Sequence, residues 1–208
     1  MTTERLAGAP PLADALLIAA SVWLRFGAGQ SLDRALASVT ARDEGLRAAA
    51  QALSYAAVRH RALTERLVER LATRPPSAEV AALLAVALPQ LVEGKHSDYT
   101  VVDQAVATAR RSPATTAAGG FVNAILRSFL RTRDSLLAEF ERDEVVRFNA
   151  PRWWIDRLRA AFPDVADAVL ETQSEHPPLV LRVDARRGDV SDYLSRLAAL
   201  GMPASRVG

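Results

Sequence analysis

Between residues 117 and 133 the chain reads AAGGFVNAILRSFLRTR, and the spacing of its apolar residues leaves little choice of fold. Phe121, Val122, Ile125, Leu126, Phe129 and Leu130 recur at i, i+1, i+4, i+5, i+8 and i+9, which on a helix makes one apolar face. Arg127 and Arg131 fall opposite, one turn apart, with Asn123 at the edge of the same polar side. A helix of this kind buries one side and presents arginine on the other.

The same logic extends through the preceding residues. Residues 12–26 are apolar nearly all round, with Trp23 and Phe26, and predict a buried helix stopped by Gly27 and Gly29. Ser31 can cap a short helix over 32–38. Thr40 and Asp43 resemble a capping box opening a longer helix through Leu53, Tyr55 and Val58, which runs on or resumes over 63–71. Pro75-Pro76 breaks the chain, and Ser77 restarts it as a strongly apolar helix over 78–92. Pro89 has no N–H for the carbonyl of Ala85, which predicts a kink or an early end at Leu88. Residues 94–99 read as a loop, and 101–111 as a further helix with Val101, Val102, Ala105, Val106 and Ala109 inward. Helices joined by short turns predict an all-α bundle of about 140 residues.

A change follows at the acidic run Glu139, Glu141, Asp143 and Glu144. Pro151 opens a helix over 152–162 with Trp153, Trp154, Ile155 and Leu158, and Pro163-Asp164 opens another to about residue 174. His176-Pro177-Pro178 leads into Leu179-Val180-Leu181-Arg182-Val183, the best strand signal in the chain. Residues 190–200 form a helix closed by Gly201, and residues 202–208 read as the start of a second strand. The expected fold class is mainly α: a helical bundle over 1–140, then a small, incomplete α/β domain over 145–208. A sheet that stops while being built suggests a fragment.

Composition narrows the chemistry. There is no cysteine, which excludes disulfides, thiolate metal sites and cysteine nucleophiles within these residues. His60, His96 and His176 share no metal-ligand spacing with carboxylates, so no metal site is expected. Gly27-Ala28-Gly29 lacks the third glycine of a dinucleotide loop and follows no strand. Gly119-Gly120 at a helix start suits close packing better than phosphate approach. The most apolar run, 15–24, is half the length a membrane span needs, and no signal peptide is visible, so a cytoplasmic protein without membrane contact is expected.

The arginines remain. From Gln104 to Arg133 there are five of them and no acid, although the whole chain carries a formal charge of only +2. Arg110 and Arg111 end one helix, where they suit its dipole, while Arg127 and Arg131 share a face of the next. If the two helices pack antiparallel about Pro113, these groups converge on a patch able to hold phosphates non-specifically. A solvated arginine face and a partner-protein surface are the competing readings. A helical interaction module would use Trp153 and Trp154 as its exposed anchor.

Five stretches, in order, resemble a known family: LSYAAVRH (53–60), TVVDQAVATAR (100–110), GGFVNAILRSFLR (119–131), APRWWIDRLRAAFP (150–163) and HPPLVLRVDARRG (176–188). Together they are similar to the N-terminal half of the RsmB (Sun/Fmu) family of ribosomal RNA cytosine-C5 methyltransferases. The resemblance implies a NusB-like helical RNA-binding domain over 1–140 and a small α/β domain preceding catalysis over 145–208. It implies 16S ribosomal RNA as partner, S-adenosylmethionine as cofactor of the full-length family, and contact with a catalytic methyltransferase domain. A stand-alone transcription antitermination factor would share the bundle but has no use for residues 152–208.

The family's glycine-rich cofactor loop and catalytic cysteine have no counterpart here, so no catalytic residue, metal ligand or cofactor-binding residue is assigned. RNA contact is assigned to Arg110, Arg111, Asn123, Arg127 and Arg131, with Arg182, Arg186 and Arg187 lining the path towards catalysis. The sequence departs from the family at Pro89, at Asp184, where asparagine is common, and at Tyr99, where histidine is frequent.

Overall fold

The computed structural model describes residues 11–174 and 179–207. They fall into two units, one ending at Ser174 and one beginning at Glu175. Residues 1–10 and the His176-Pro177-Pro178 segment lie outside the described residues.

Among its described residues the first unit is built of helices and turns. Its elements are α1 (Leu12–Gly27), α2 (Leu32–Ala37), α3 (Glu44–Arg59), α4 (Arg61–Leu71), α5 (Ala78–Glu93), α6 (Asp98–Arg111), α7 (Gly119–Phe140), α8 (Glu144–Arg147), α9 (Arg152–Ala161) and α10 (Ala166–Ser174). Helix α5 is the centre: from Val80 to Leu91 every residue except Ala81 is buried. Helix α1 packs against α3, α5 and α6, while α7 packs against α6, α4 and α5. Val122, Ile125, Leu126 and Phe129 bring the apolar face of α7 into this core, as the spacing required.

Caps explain most boundaries. Asp43, not Thr40, caps α3, its carboxylate accepting from the Leu46 N–H at 2.8 Å. Ser31, Ser77 and Ser97 cap α2, α5 and α6 in the same manner. Pro89 does not end α5 at Leu88. The helix continues to Glu93 and stops at Gly94, whose φ of 65° is the left-handed conformation glycine adopts freely. Pro89 is itself buried within the helix.

The break between α3 and α4 falls at His60, and Asn149 holds it. The Asn149 amide accepts from the Ala62 N–H at 3.0 Å and donates to the Val58 carbonyl at 2.9 Å. Asn149 has φ 45°, a conformation asparagine tolerates better than most residues. Beside it, Glu93 pairs with Arg59, His60 and Lys95 at 3.3, 3.2 and 2.8 Å. Burial lowers the His60 pKa against the pull of Glu93.

A second apolar cluster of Phe148, Ala150, Ile155, Leu158, Ala166 and Leu170 joins α9 and α10. Its rim is ionic: Glu144 accepts from Arg152 and from Arg159, and Arg159 also donates to Asp167 at 2.8 Å. The hydrogen bonds from Arg159 and Arg152 lower the Glu144 pKa from its ordinary 4.5 to about 2. A carboxyl whose folded pKa lies below its unfolded one stabilises the fold fully above the unfolded value. That contribution is lost as pH falls through the folded value. Acid titration is therefore expected to loosen the α9–α10 region between about pH 4.5 and pH 2. In Glu144→Gln, amide exchange in α9 should lose part of this pH dependence; an unchanged profile contradicts the assignment.

The second unit contains α11 (Val190–Ala199), capped by Asp189 and closed by Gly201 at φ 71°. The strand expected over 179–183 is not formed, and none begins at 202: among the described residues there is no strand. A strand exists only by pairing its backbone with a neighbour, and residues 179–183 have no such partner among the described residues. Leu179, Val180 and Leu181 stand 81%, 67% and 55% exposed. The fold is mainly α, and the α/β character expected of the C-terminal part is absent from the described residues.

Candidate nucleic-acid interface

Helices α6 and α7 form an antiparallel pair, shown by contacts at both ends. At one end Arg133 donates to Asp98 at 2.6 Å. At the other, the Arg110 side chain lies over Gly119, where an added Cβ would stand 3.3 Å from its Cγ. Close approach thus explains Gly119, but Gly120 faces open space. The connection is held by two threonines: the Thr115 hydroxyl donates to the Ala109 carbonyl at 2.8 Å and that of Thr116 to the Arg110 carbonyl at 2.9 Å. These satisfy carbonyls at the end of α6 that lack a helical partner. At its other flank α6 is tied to α1, the Thr108 hydroxyl donating to the Ala13 carbonyl at 3.0 Å.

The two helices enclose a groove of about 560 Å³. From α6 it is lined by Asp98, Tyr99, Val102, Asp103, Val106 and Arg110; from α7 by Gly119, Gly120, Asn123, Arg127, Leu130 and Arg131. Each set is a helical stripe at three- and four-residue spacing. Three arginines face two aspartates, and one aspartate, Asp98, is already held by Arg133. Asp103 accepts from the Gln104 amide at 2.9 Å. Arg127 donates through Nε to Asn123 Oδ1 at 3.1 Å, which fixes both side chains on the wall, and no partner of its terminal guanidinium nitrogens is found among the described residues. Exposed guanidinium groups spaced along a groove with an apolar floor can hold a chain of phosphates.

Arg110, Asn123, Arg127 and Arg131 are therefore brought together. Arg111 is not: it points away from the groove and donates to Asp14 at 2.6 Å, where Arg42 also approaches at 3.4 Å. In the second unit Arg182 and Arg187 line a cleft of about 330 Å³ with Arg196, alternating with Asp184, Asp189 and Asp192. Arg186 lies outside that lining and pairs with Asp184 at 3.2 Å, which lowers the Asp184 pKa. Of the two tryptophans, Trp153 is 64% exposed while Trp154 packs on the second cluster.

Sequence reasoning missed Tyr99, left in a loop, and both groove aspartates. The signal was available: Ser97 followed by Asp98 is a cap and an acidic first turn, which starts α6 three residues earlier. Among the described residues no group of histidines and carboxylates could hold a metal ion. No helix there is long and apolar enough to cross a membrane.

Comparison with known proteins places both parts of the chain in known families. Residues 16–131 match the model described as NusB family, and residues 150–208 match a Methyltr_RsmF/B-like, ferredoxin-like domain. The chain belongs to the NusB family and carries an RsmF/B-type ferredoxin-like domain after it, as in the N-terminal part of the RsmB methyltransferases. It is similar to "Ribosomal RNA small subunit methyltransferase B" of Pseudomonas syringae pv. tomato, at 34% identity over 199 residues covering 94% of this chain and 44% of that protein. The protein of the same name from Pseudomonas putida is also 34% identical, with 94% and 45% covered. That of Citrobacter koseri is 30% identical over 183 residues, with 84% and 41% covered. The chain spans less than half the length of the curated relatives it matches.

Proposed function

We propose that this chain is the RNA-binding, substrate-positioning N-terminal portion of an S-adenosylmethionine-dependent methyltransferase acting on carbon 5 of cytosine in 16S ribosomal RNA in the cytoplasm. The observation that carries the reading is the α6–α7 groove, where Arg110, Arg127 and Arg131 line one channel with Asn123. Phosphates set the position of the RNA there, and shape with unpaired bases sets its identity. On this reading residues 1–140 hold the RNA, and residues 145–208 lead it onward through Arg182, Arg186 and Arg187. Arg111, paired with Asp14, contributes to the potential around the groove and not to its lining.

The residues present do not fit the family's cofactor. Their 208 positions hold no cysteine to attack cytosine, and no glycine-rich loop follows a strand among the described residues. Cofactor and nucleophile belong, on this reading, to the part of the relatives that this chain does not span, with which it would be in contact. Ultraviolet crosslinking of the full chain to a 16S fragment, followed by peptide mapping, tests the groove. Crosslinks should concentrate within residues 98–131; crosslinks only elsewhere would overturn the assignment.

A further inference from the structure

Tyr99 is a large aromatic residue left 77% exposed on the wall of an arginine-lined groove. Burial or a structural hydrogen bond usually accounts for such a ring, and no hydrogen bond or aromatic partner of the Tyr99 ring is found among the described residues. Its position is nonetheless fixed. Ser97 caps the helix directly before it, accepting from the Thr100 N–H at 3.2 Å, and Asp98 is clasped by Arg133. The antiparallel register set by Asp98–Arg133 and by Arg110 over Gly119 puts Tyr99 across the groove from Leu130 and Arg131.

The groove therefore has two chemically different ends. Along α6, Arg110 lies eleven residues from Tyr99, or about 16 Å at the usual helical rise. The Arg110 end, with Gly120 open beside it, offers charge and backbone. The Tyr99 end offers a flat apolar ring opposite a guanidinium and a leucine side chain. Phosphates need only guanidinium groups, which both ends supply; a base needs the ring at the Tyr99 end, and it can reach a ring face only when it is not stacked in a duplex.

We infer that Tyr99 is a stacking platform for one unpaired base, so that the groove selects single-stranded or looped RNA over duplex. The inference rests on the RNA-binding reading of the same groove and adds to it the residue that receives an unpaired base. Stacking on an aromatic face tolerates any base, and removing such a platform typically weakens binding about tenfold. Because the ring is uncharged, its loss leaves the salt dependence of binding unchanged, which separates its role from that of the arginines.

The test uses the full chain and a hairpin RNA carrying a fluorescent purine analogue in its loop or, as a second probe, in its stem. Wild type and Tyr99→Phe should quench the loop probe and leave the stem probe unaltered. Tyr99→Ala should lose the loop quench and bind about tenfold more weakly, with an unchanged salt slope. Full quenching by Tyr99→Ala, or equal affinity for the hairpin and a blunt duplex of the same length, overturns the platform. If Arg127→Ala with Arg131→Ala weakens binding while Tyr99→Ala does not, the platform fails and the RNA-binding reading stands. If neither variant weakens binding, both fail.

Discussion

Phe129→Ala is expected to destabilise the helical unit by about 3–5 kcal/mol, the range for removing a fully buried aromatic side chain. Phe129 is fully buried on the inward face of α7 and belongs to the main core cluster. Truncation leaves a cavity lined by residues from several helices, which cannot all collapse into it. Its ring also carries the Arg133 guanidinium, 5.7 Å from the centroid, so the clasp at the end of the groove loosens with it. Chemical denaturation of wild type and variant reads the loss directly, and a difference below about 1 kcal/mol would contradict this packing. The same helix carries Arg127 and Arg131 on its exposed side, where replacement by alanine should stay within about 0.5 kcal/mol.

Asn149→Ala is expected to cost about 2–4 kcal/mol although it removes no apolar contact of any size. It orphans the Ala62 N–H and the Val58 carbonyl where α3 and α4 meet, and each part-buried unpaired group costs about 1–3 kcal/mol. Alanine at φ 45° adds backbone strain. Two further variants separate these causes. Asn149→Gly relieves the backbone but leaves both groups unpaired. Asn149→Asp keeps an acceptor for Ala62 and loses the donor for Val58. Thermal melts should order the three with aspartate or glycine above alanine. If all three melt with wild type, Asn149 does not hold the junction.

The contrast between these two residues shows what the sequence made legible. Phe129 was readable because periodicity is a property of neighbours in the chain, and its partners need not be known. The same held for the apolar stretch of α5 and for the arginine face of α7. Asn149 was not readable, because its partners lie 87 and 91 residues away and an isolated asparagine after a short helix looks like any turn. Charge patterning told only half of the site. It grouped Arg110, Arg127 and Arg131, which line one groove, but treated Arg111 as their equal, since adjacency in sequence hides a difference of about 100° around the helix. That rotation sends Arg111 to Asp14. The run without acids ended just short of Asp103 and Asp98, so the aspartates that temper the groove went unnoticed.

Leu179 to Val183 makes the converse point. Alternation and β-branching describe what a segment suits, and a sheet also requires a neighbour to pair with. The match of residues 150–208 to a ferredoxin-like domain supports the pattern, while the described residues supply no pairing.

The central claim is that the α6–α7 groove binds RNA through its arginines. Its most direct test is the affinity of the full chain for a single-stranded 16S fragment across a series of salt concentrations. Wild type is compared with the Arg110→Ala, Arg127→Ala, Arg131→Ala triple variant. Each phosphate contact on a single strand contributes about 0.7 to the slope of log affinity against log salt. The triple variant should bind more weakly at low salt, and its slope should be shallower by about 2. A slope equal to that of wild type would contradict the account, since the bound phosphates would then lie elsewhere.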